Sequence, residues 1–257
     1  MKILVLGAGN MGAFFIDTLC FEYEVAVYDT DQERMKYLFR TRRIEKMEEI
    51  KEFAPDLLIN AVSLQYTMAA FEKILPFIPE TCIISDIASV KNGIPNYYQT
   101  LKHRFVSTHP MFGPTFANIK DLSDQNAIII KESDPFGKAF FRDFYSRLKL
   151  NIYEYSFKEH DETIAYSLSI PFASTLVFAG CMVKQEAPGT TFKKHMAIAK
   201  GLMTENDYLL SEILMSAYTE PQLERIRQKL TFLIDVIKRK DTKALHNFLA
   251  EVRNNIS

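Results

Sequence analysis

The sequence predicts an α/β protein, a doubly wound parallel sheet followed by an all-helical dimerisation domain, and three observations carry that prediction. Short β-branched runs alternate with amphipathic stretches through the first half of the 257 residues. A glycine-rich turn, Gly7-Ala8-Gly9-Asn10-Met11-Gly12, joins the first run to the first amphipathic stretch. Past about Glu159 the β-branched runs stop, and apolar residues recur only at helical spacing. The expected boundary puts a dinucleotide-binding Rossmann domain at residues 1–157 and a helical substrate and dimerisation domain at 158–257.

Taken in order, strands are predicted at Lys2 to Leu6, Glu24 to Tyr28, Leu57 to Val62, Cys82 to Asp86, Phe105 to Ser107 and Asn126 to Lys131. Near-continuous apolar runs such as ILVL and AIII suit strands buried on both faces of a sheet. Gln32 to Thr41 and Tyr66 to Phe77 are expected as intervening helices, and this βαβ rhythm argues for a parallel sheet. In the second half, Asp161 to Lys184, Thr191 to Met215 and Pro221 to Lys240 read as helices. Leu223, Ile226, Leu230, Leu233, Ile234 and Ile237 form an apolar stripe on the last of these, with Arg and Lys opposite. Asp241 is placed to N-cap a final helix carrying Leu245, Phe248, Leu249 and Val252. The surplus of apolar faces predicts pairing into a homodimer.

Composition removes several classes of function. A formal net charge of -1 and no basic run leave no electrostatic footprint for nucleic acid. An anionic substrate must then be held by local cations. Cys20, Cys82 and Cys181 are widely spaced and odd in number, which indicates neither a disulfide framework nor a zinc site. No HExxH or His/carboxylate cluster suggests a metal. The N-terminal apolar run is too short for a signal sequence, and no stretch is read as approaching the ~20 apolar residues of a membrane helix. A cytoplasmic enzyme with no membrane partner is the expectation.

The glycine turn follows a strand and opens a helix, the context in which GxGxxG is informative. Gly7 permits the tight turn, Gly9 lets backbone N–H groups approach a pyrophosphate, and Gly12 lets helix and strand pack closely. The N–H groups at Asn10 and Met11 belong to the helix start, where partial positive charge favours an anion. Asp29 ends the second strand in VAVYD, where its carboxylate can accept from both ribose hydroxyls and would repel a 2′-phosphate. NAD is therefore expected over NADP.

Ligands of such sheets sit outside the carboxyl ends of the strands. Two polar clusters fall there, Ser85-Asp86-Ile87-Ala88-Ser89-Val90-Lys91 and Thr108-His109-Pro110-Met111-Phe112-Gly113-Pro114. Proline after His109 disfavours helix and keeps the imidazole at a strand mouth. Imidazole is the usual group for taking a proton from an alcohol as hydride departs. Ser89 is expected to reach His109 from the neighbouring loop.

DIASVK, HPMFGP and EHDETIAY resemble the signature stretches of the prephenate dehydrogenase family. GAGNMG alone is less specific, since pyrroline-5-carboxylate reductases begin in much the same way. The resemblance spans nearly the whole chain. It implies NAD-dependent oxidative decarboxylation of prephenate to 4-hydroxyphenylpyruvate in tyrosine biosynthesis. Within it, His109 matches the catalytic histidine and Ser89 the serine that orients the substrate hydroxyl. Lys91 follows in the same motif and supports either the loop or the nicotinamide. An arogenate dehydrogenase, or an NAD-binding sensor without catalysis, are the alternatives.

The chain departs from the family pattern on the substrate side. Phe172 stands where many relatives have a second histidine, and Gly201 where many have a carboxylate-binding arginine. Lys200, one residue earlier, and Lys193 are the candidate replacements, as point charges rather than bidentate forks. His160 is a further substrate-side candidate, with a purely structural place at a helix start as the alternative. His103, His195 and His246 are read as structural or surface residues. No regulatory or chorismate mutase segment is read in the sequence, so any tyrosine inhibition is expected at the active site.

Overall fold

A computed structural model describes residues 1–112, 121–183 and 185–257. Gly113 and Pro114 of the HPMFGP motif, and Lys184, lie outside the described residues. The chain divides into two compact units, Met1–Asp161 and Glu162–Ser257. The break falls about one helical turn beyond the boundary read from the sequence.

The first unit is an eight-stranded sheet, β1 (Lys2–Leu6), β2 (Glu24–Tyr28), β3 (Arg42–Ile44), β4 (Leu57–Asn60), β5 (Ile83–Asp86), β6 (Phe105–Pro110), β7 (Asn126–Ile130) and β8 (Asn151–Tyr155). Its strand order is β3-β2-β1-β4-β5-β6-β7-β8, parallel except between β6 and β7. The order 3-2-1-4-5-6 is that of the Rossmann sheet, with the switch point between β1 and β4. Helices α1 (Asn10–Leu19), α2 (Glu48–Phe53), α3 (Thr67–Ile74), α4 (Ile94–Gln99) and α5 (Pro135–Arg147) cover it. Side chains alternate along β1, so Ile3 and Val5 join one apolar cluster with Phe15 and Phe141, while Leu4 and Leu6 join another with Phe53 and Phe71. Both faces are thus buried, as the continuous apolar runs require.

All six predicted strands are present, and two more are added. β3 is a three-residue edge strand whose Arg42 and Arg43 are exposed, so it carries no apolar run to notice. β8 is half-exposed along its length, and its IYEY pattern pairs with β7 in parallel register. The helix expected over Gln32 to Thr41 is a correction: only a 3-10 turn forms, at Gln32–Met35. Asp31 caps that turn by accepting from the Glu33 N–H, but Met35 and Leu38 are the sole buried residues of the stretch. A two-residue apolar stripe is too short to hold a helix on the sheet.

The second unit is helical. It comprises the end of α6 (Phe157–Ile164), a π-helical turn at Ala165–Ser169, then α7 (Ile170–Gly180), α8 (Thr190–Leu202), α9 (Asp207–Leu214), α10 (Thr219–Arg239) and α11 (Thr242–Asn255). Pro171 has no N–H to donate, and the π turn directly precedes it. The predicted single helix over Thr191 to Met215 is broken into α8 and α9, because Asn206 accepts from the Tyr208 N–H at 2.7 Å and starts a new helix. Asp241 caps α11 through the Ala244 N–H at 2.9 Å. Ser169 and Thr219, both fully buried, share a 2.7 Å hydroxyl contact, and Thr219 donates to the Ile213 carbonyl.

One expectation about apolar length is corrected. The helical stretch Phe157–Gly180 is 24 residues long and apolar enough, by length and composition, to cross a bilayer, although only 17% of its most apolar window is buried.

Candidate active site

The glycine turn is built as the sequence requires. Gly7 has φ +91°, and a Cβ there would meet the Ala61 carbonyl oxygen at 3.0 Å. A Cβ at Gly12 would lie 1.9 Å from the Gly7 carbonyl oxygen, so helix and strand pack at a distance no side chain allows. At Gly9, by contrast, a Cβ would meet nothing within 4 Å. No side chain caps the start of α1, which leaves the first N–H groups, including those of Asn10 and Met11, for an anion. Gly7, Gly9, Asp29, Val62 and Lys73 are among the residues that line a cavity of about 430 Å³.

Asp29 braces this turn. Its Oδ2 accepts from the Ala8 N–H at 2.6 Å and its Oδ1 from the Asp31 N–H at 2.8 Å. A carboxylate offers about four acceptor sites, so capacity remains for two ribose hydroxyls. Arg34, also at the cavity, is paired with Asp31 at 3.3 Å. An open glycine turn, an uncapped helix start and an acceptor at the end of β2 fit a dinucleotide with a free 2′-hydroxyl.

Beneath the ends of β5 and β6 lies a buried polar cluster. Asp86 and Lys91 are fully buried and pair at 2.5 Å. Lys91 also donates to the Thr108 carbonyl at 2.8 Å, tying the loop after β5 to β6. Asp86 accepts further from the Tyr98 hydroxyl at 2.7 Å and the Ala88 N–H at 3.1 Å. Thr108 Oγ1 donates to the Ile128 carbonyl and lies 3.0 Å from the Tyr145 hydroxyl. Burial pushes the Lys91 ammonium below its ordinary range, and Asp86 opposes that shift. Tyr98 is raised well above its ordinary value by burial and then by Asp86.

His109 stands at the mouth of the sheet with 6% of its surface exposed. It lies in β6, which runs three residues beyond the predicted end because 108–110 pair antiparallel with β7. Its Nδ1 is 3.0 Å from Nε2 of His160, which is fully buried. His160 Nδ1 is in turn 2.9 Å from Asp161 Oδ1. Helix α6 presents this pair from a capping box. Ser156 Oγ accepts from the Glu159 N–H at 3.2 Å, and Glu159 accepts from the Ser156 N–H at 2.6 Å. Lys131 binds the same Glu159 at 2.7 Å, and its hydrogen bond with those of Ser156 lowers the Glu159 pKa to about 2. His109 is held well below the ordinary histidine range, by burial first and then by His160 and Lys91. Burial lowers His160 also, against Asp161. Both rings are therefore neutral at pH 7.

Two sequence expectations change at this point. Among the described residues no hydrogen bond joins Ser89 to His109; Ser89 is half-buried on the adjoining loop, and His160 occupies the imidazole instead. Lys91, left open between loop and nicotinamide, is the buried pin of the loop. His160, read as a substrate-side candidate or a structural residue of a helix start, lies in the first turn of α6 and is the partner of His109. Ser156-x-x-Glu159 is the signal that was overlooked, since a capping box there fixes which face of α6 carries His160. Asp86, the partner of Lys91, and Tyr98, which donates to Asp86, were likewise missed. Lys193 and Lys200 are exposed on α8 of the second unit, about two turns apart and so on one side of that helix. His195 Nδ1 lies 3.1 Å from the Thr191 carbonyl, and its ring packs on Phe178.

Comparison with known proteins gives likenesses of three kinds. Residues 13–130 match the model of the prephenate dehydrogenase nucleotide-binding domain, a span that includes Ser89, Lys91 and His109. The T-protein of Enterobacter agglomerans is 23% identical over 181 residues, 66% of this chain. The match takes in 48% of that relative, so the chain spans about half its length. Among solved structures, the prephenate dehydrogenase of Aquifex aeolicus in complex with hydroxyphenyl propionate and NAD+ superposes with a TM-score of 0.85 at 19% identity, covering 99% of this chain and 96% of that one. The arogenate dehydrogenase of Synechocystis gives 0.76 at 19% identity, covering 99% and 98%. Family match, curated relative and fold converge on one likeness: residues 13–130 match the prephenate dehydrogenase nucleotide-binding domain, and the whole chain shares the fold of prephenate and arogenate dehydrogenases.

Proposed function

We propose that this protein is a prephenate dehydrogenase, which oxidatively decarboxylates prephenate to 4-hydroxyphenylpyruvate with NAD. The observation that carries the reading is a neutral, buried His109 at the mouth of a dinucleotide-binding sheet. NAD supplies the hydride acceptor. His109 accepts a hydrogen bond from the ring hydroxyl and takes its proton as the carbonyl forms. Loss of CO2 from the ring returns an electron pair to it, and His109 gives the proton back to the phenolic oxygen. One hydride and one CO2 leave each prephenate, and no net proton is released. Ser89 is assigned to the substrate hydroxyl directly rather than to His109. Lys200 and Lys193 are assigned to the ring carboxylate.

Arogenate dehydrogenase is the second reading, supported by a similar fold in the Synechocystis enzyme. The two substrates differ only in an amine for the side-chain keto group. Purified protein with NAD is given prephenate and then arogenate, while NADH and CO2 are followed together. Turnover of prephenate at the higher kcat/KM supports the first reading, and preference for arogenate replaces it with the second. NAD binding with no turnover of either acid sinks both and leaves a nucleotide sensor.

Asp29 carries cofactor choice in this account. Hydrogen bonds to a charged group contribute about 1.5–3 kcal/mol, so Asp29→Ala is expected to weaken NAD binding by roughly ten-fold or more. Titration of wild type and variant with NAD and NADP checks this. A wild type that prefers NADP removes Asp29 from the role.

The second unit is proposed to pair with its copy. No residue of α7 is buried, and Val177, Leu230, Ile234 and Ile237 are exposed apolar side chains. A second copy would cover such faces by two-fold symmetry. Sedimentation equilibrium is expected to give twice the 29.7 kDa chain mass. A fully active monomer at assay concentration contradicts the pairing.

A further inference from the structure

The contact between His109 and His160 has a direction. Asp161 presents a carboxylate oxygen to His160 Nδ1 at 2.9 Å, and a carboxylate only accepts, so His160 Nδ1 carries the hydrogen. A neutral imidazole has one N–H, which leaves His160 Nε2 with a lone pair. His109 Nδ1 lies 3.0 Å from that lone pair and must be the donor. By the same rule its own Nε2 is left as the basic nitrogen. The opposite arrangement would set a lone pair of His160 against the carboxylate, or require a charged imidazolium fully buried near the Lys91 ammonium. Each alternative is costly in a low-dielectric interior.

We propose that His160, oriented by Asp161, is a positioning residue that locks His109 in its Nδ1–H tautomer and so points Nε2 at the reacting hydroxyl. The chemical step rests on the dehydrogenase reading above; the tautomer itself does not. Among the described residues, the hydrogen-bonding groups of the neighbouring elements are already engaged elsewhere. Lys91, from the loop after β5, is a donor spent on Asp86 and the Thr108 carbonyl. Asp86 is occupied by Lys91, Tyr98 and the Ala88 N–H. Thr108 Oγ1 donates to the Ile128 carbonyl and pairs with the Tyr145 hydroxyl. The capping box of Ser156 and Glu159 then gains a purpose, since it fixes the helical turn that carries both lock residues.

A neutral imidazole of the wrong tautomer offers an N–H where a lone pair is needed. In the serine protease triad, a tautomer error of this kind lowers kcat by about 10⁴ with geometry intact. Three enzymes are compared as NAD-loaded full chains: wild type, His160→Leu, which removes the acceptor, and His160→Gln, whose amide oxygen can take its place. Nitrogen-15 NMR of labelled histidine reads the tautomer of His109, assigned by loss of its signals in His109→Asn. Wild type is expected to be protonated at Nδ1 and not at Nε2. His160→Leu is expected to lose that preference and to drop kcat by at least about 10²-fold, with KM and NAD affinity within a few-fold. His160→Gln should keep the tautomer and stay within about ten-fold of wild-type kcat. If neither acid is a substrate, the proposed function fails while the NMR result still decides the lock. Protonation of His109 at Nε2 in wild type, or an unchanged tautomer in His160→Leu, overturns the proposal.

Discussion

Replacing His109 with Asn is expected to lower kcat by about 10²–10⁴-fold while leaving NAD affinity near wild type. Asparagine keeps a hydrogen-bonding side chain of similar reach but has no base, and the cavity lined by Gly7, Gly9 and Asp29 is untouched. The pH profile adds an independent constraint. The base must be neutral, and its neutral form prevails above its pKa. Burial, His160 and Lys91 all move that pKa down, so the acidic limb of kcat/KM is expected below the ordinary histidine value of about 6.5. A sequence reading alone puts the limb at that ordinary value. A variant with near-normal kcat and the same acidic limb would assign the base elsewhere. The same shift acts on stability: below about pH 6.5 the unfolded chain binds a proton at this residue that the fold refuses, so the fold weakens as pH falls.

The second large effect concerns the fold beneath the site. Lys91→Met removes the cation from a fully buried pair and leaves Asp86 held by the neutral Tyr98 hydroxyl and Ala88 N–H. Breaking a buried ion pair from one side typically costs about 3–5 kcal/mol, because the remaining charge is stranded. For a protein of this size the thermal midpoint is expected to fall by roughly 6–20 °C. Adding Asp86→Asn to Lys91→Met removes the stranded charge and should recover a large part of the loss. A double variant no more stable than the single one would show that packing of the lysine stem, not its charge, holds the loop. Loss of the Lys91 cation also removes one of the causes that keep His109 neutral, so surviving activity should show its acidic limb at higher pH.

Much of the fold is legible because a doubly buried parallel sheet writes itself as apolar runs bounded by glycine and polar loops. Leu4 and Leu58 need no context to be recognised. Elements without such a run were lost: β3 shows two exposed arginines, and β8 shows an alternation of half-exposed residues. The stretch after Asp29 misled for a related reason, since its charge pattern mimics an amphipathic helix whereas Met35 and Leu38 alone reach the core. At the site, residues announced by local motifs were found where the motifs predict. Gly7 and Gly12 act over a few residues of chain, and Asp29, though it reaches Ala8 across 21 residues, does so within the one strand–turn–helix–strand unit that the glycine motif announces. Partnerships across the sequence were not legible in the same way. His109 and His160 are 51 residues apart, and Lys91 reaches Thr108 across 17. Only the sheet order brings β5, β6 and the start of α6 together, and no spacing rule encodes that.

The central claim is that hydride leaves the hydroxyl-bearing ring carbon for the nicotinamide while His109 holds the hydroxyl proton. Prephenate carrying deuterium at that carbon tests it most directly, with wild type and His109→Asn run side by side. The account predicts that deuterium appears in the reduced nicotinamide in equal amount to the CO2 released. It also predicts that His109→Asn transfers the same label at a rate lower by about 10²–10⁴-fold. NAD bound with no label transferred from prephenate or from similarly labelled arogenate would contradict it, as would label transfer at an undiminished rate without His109.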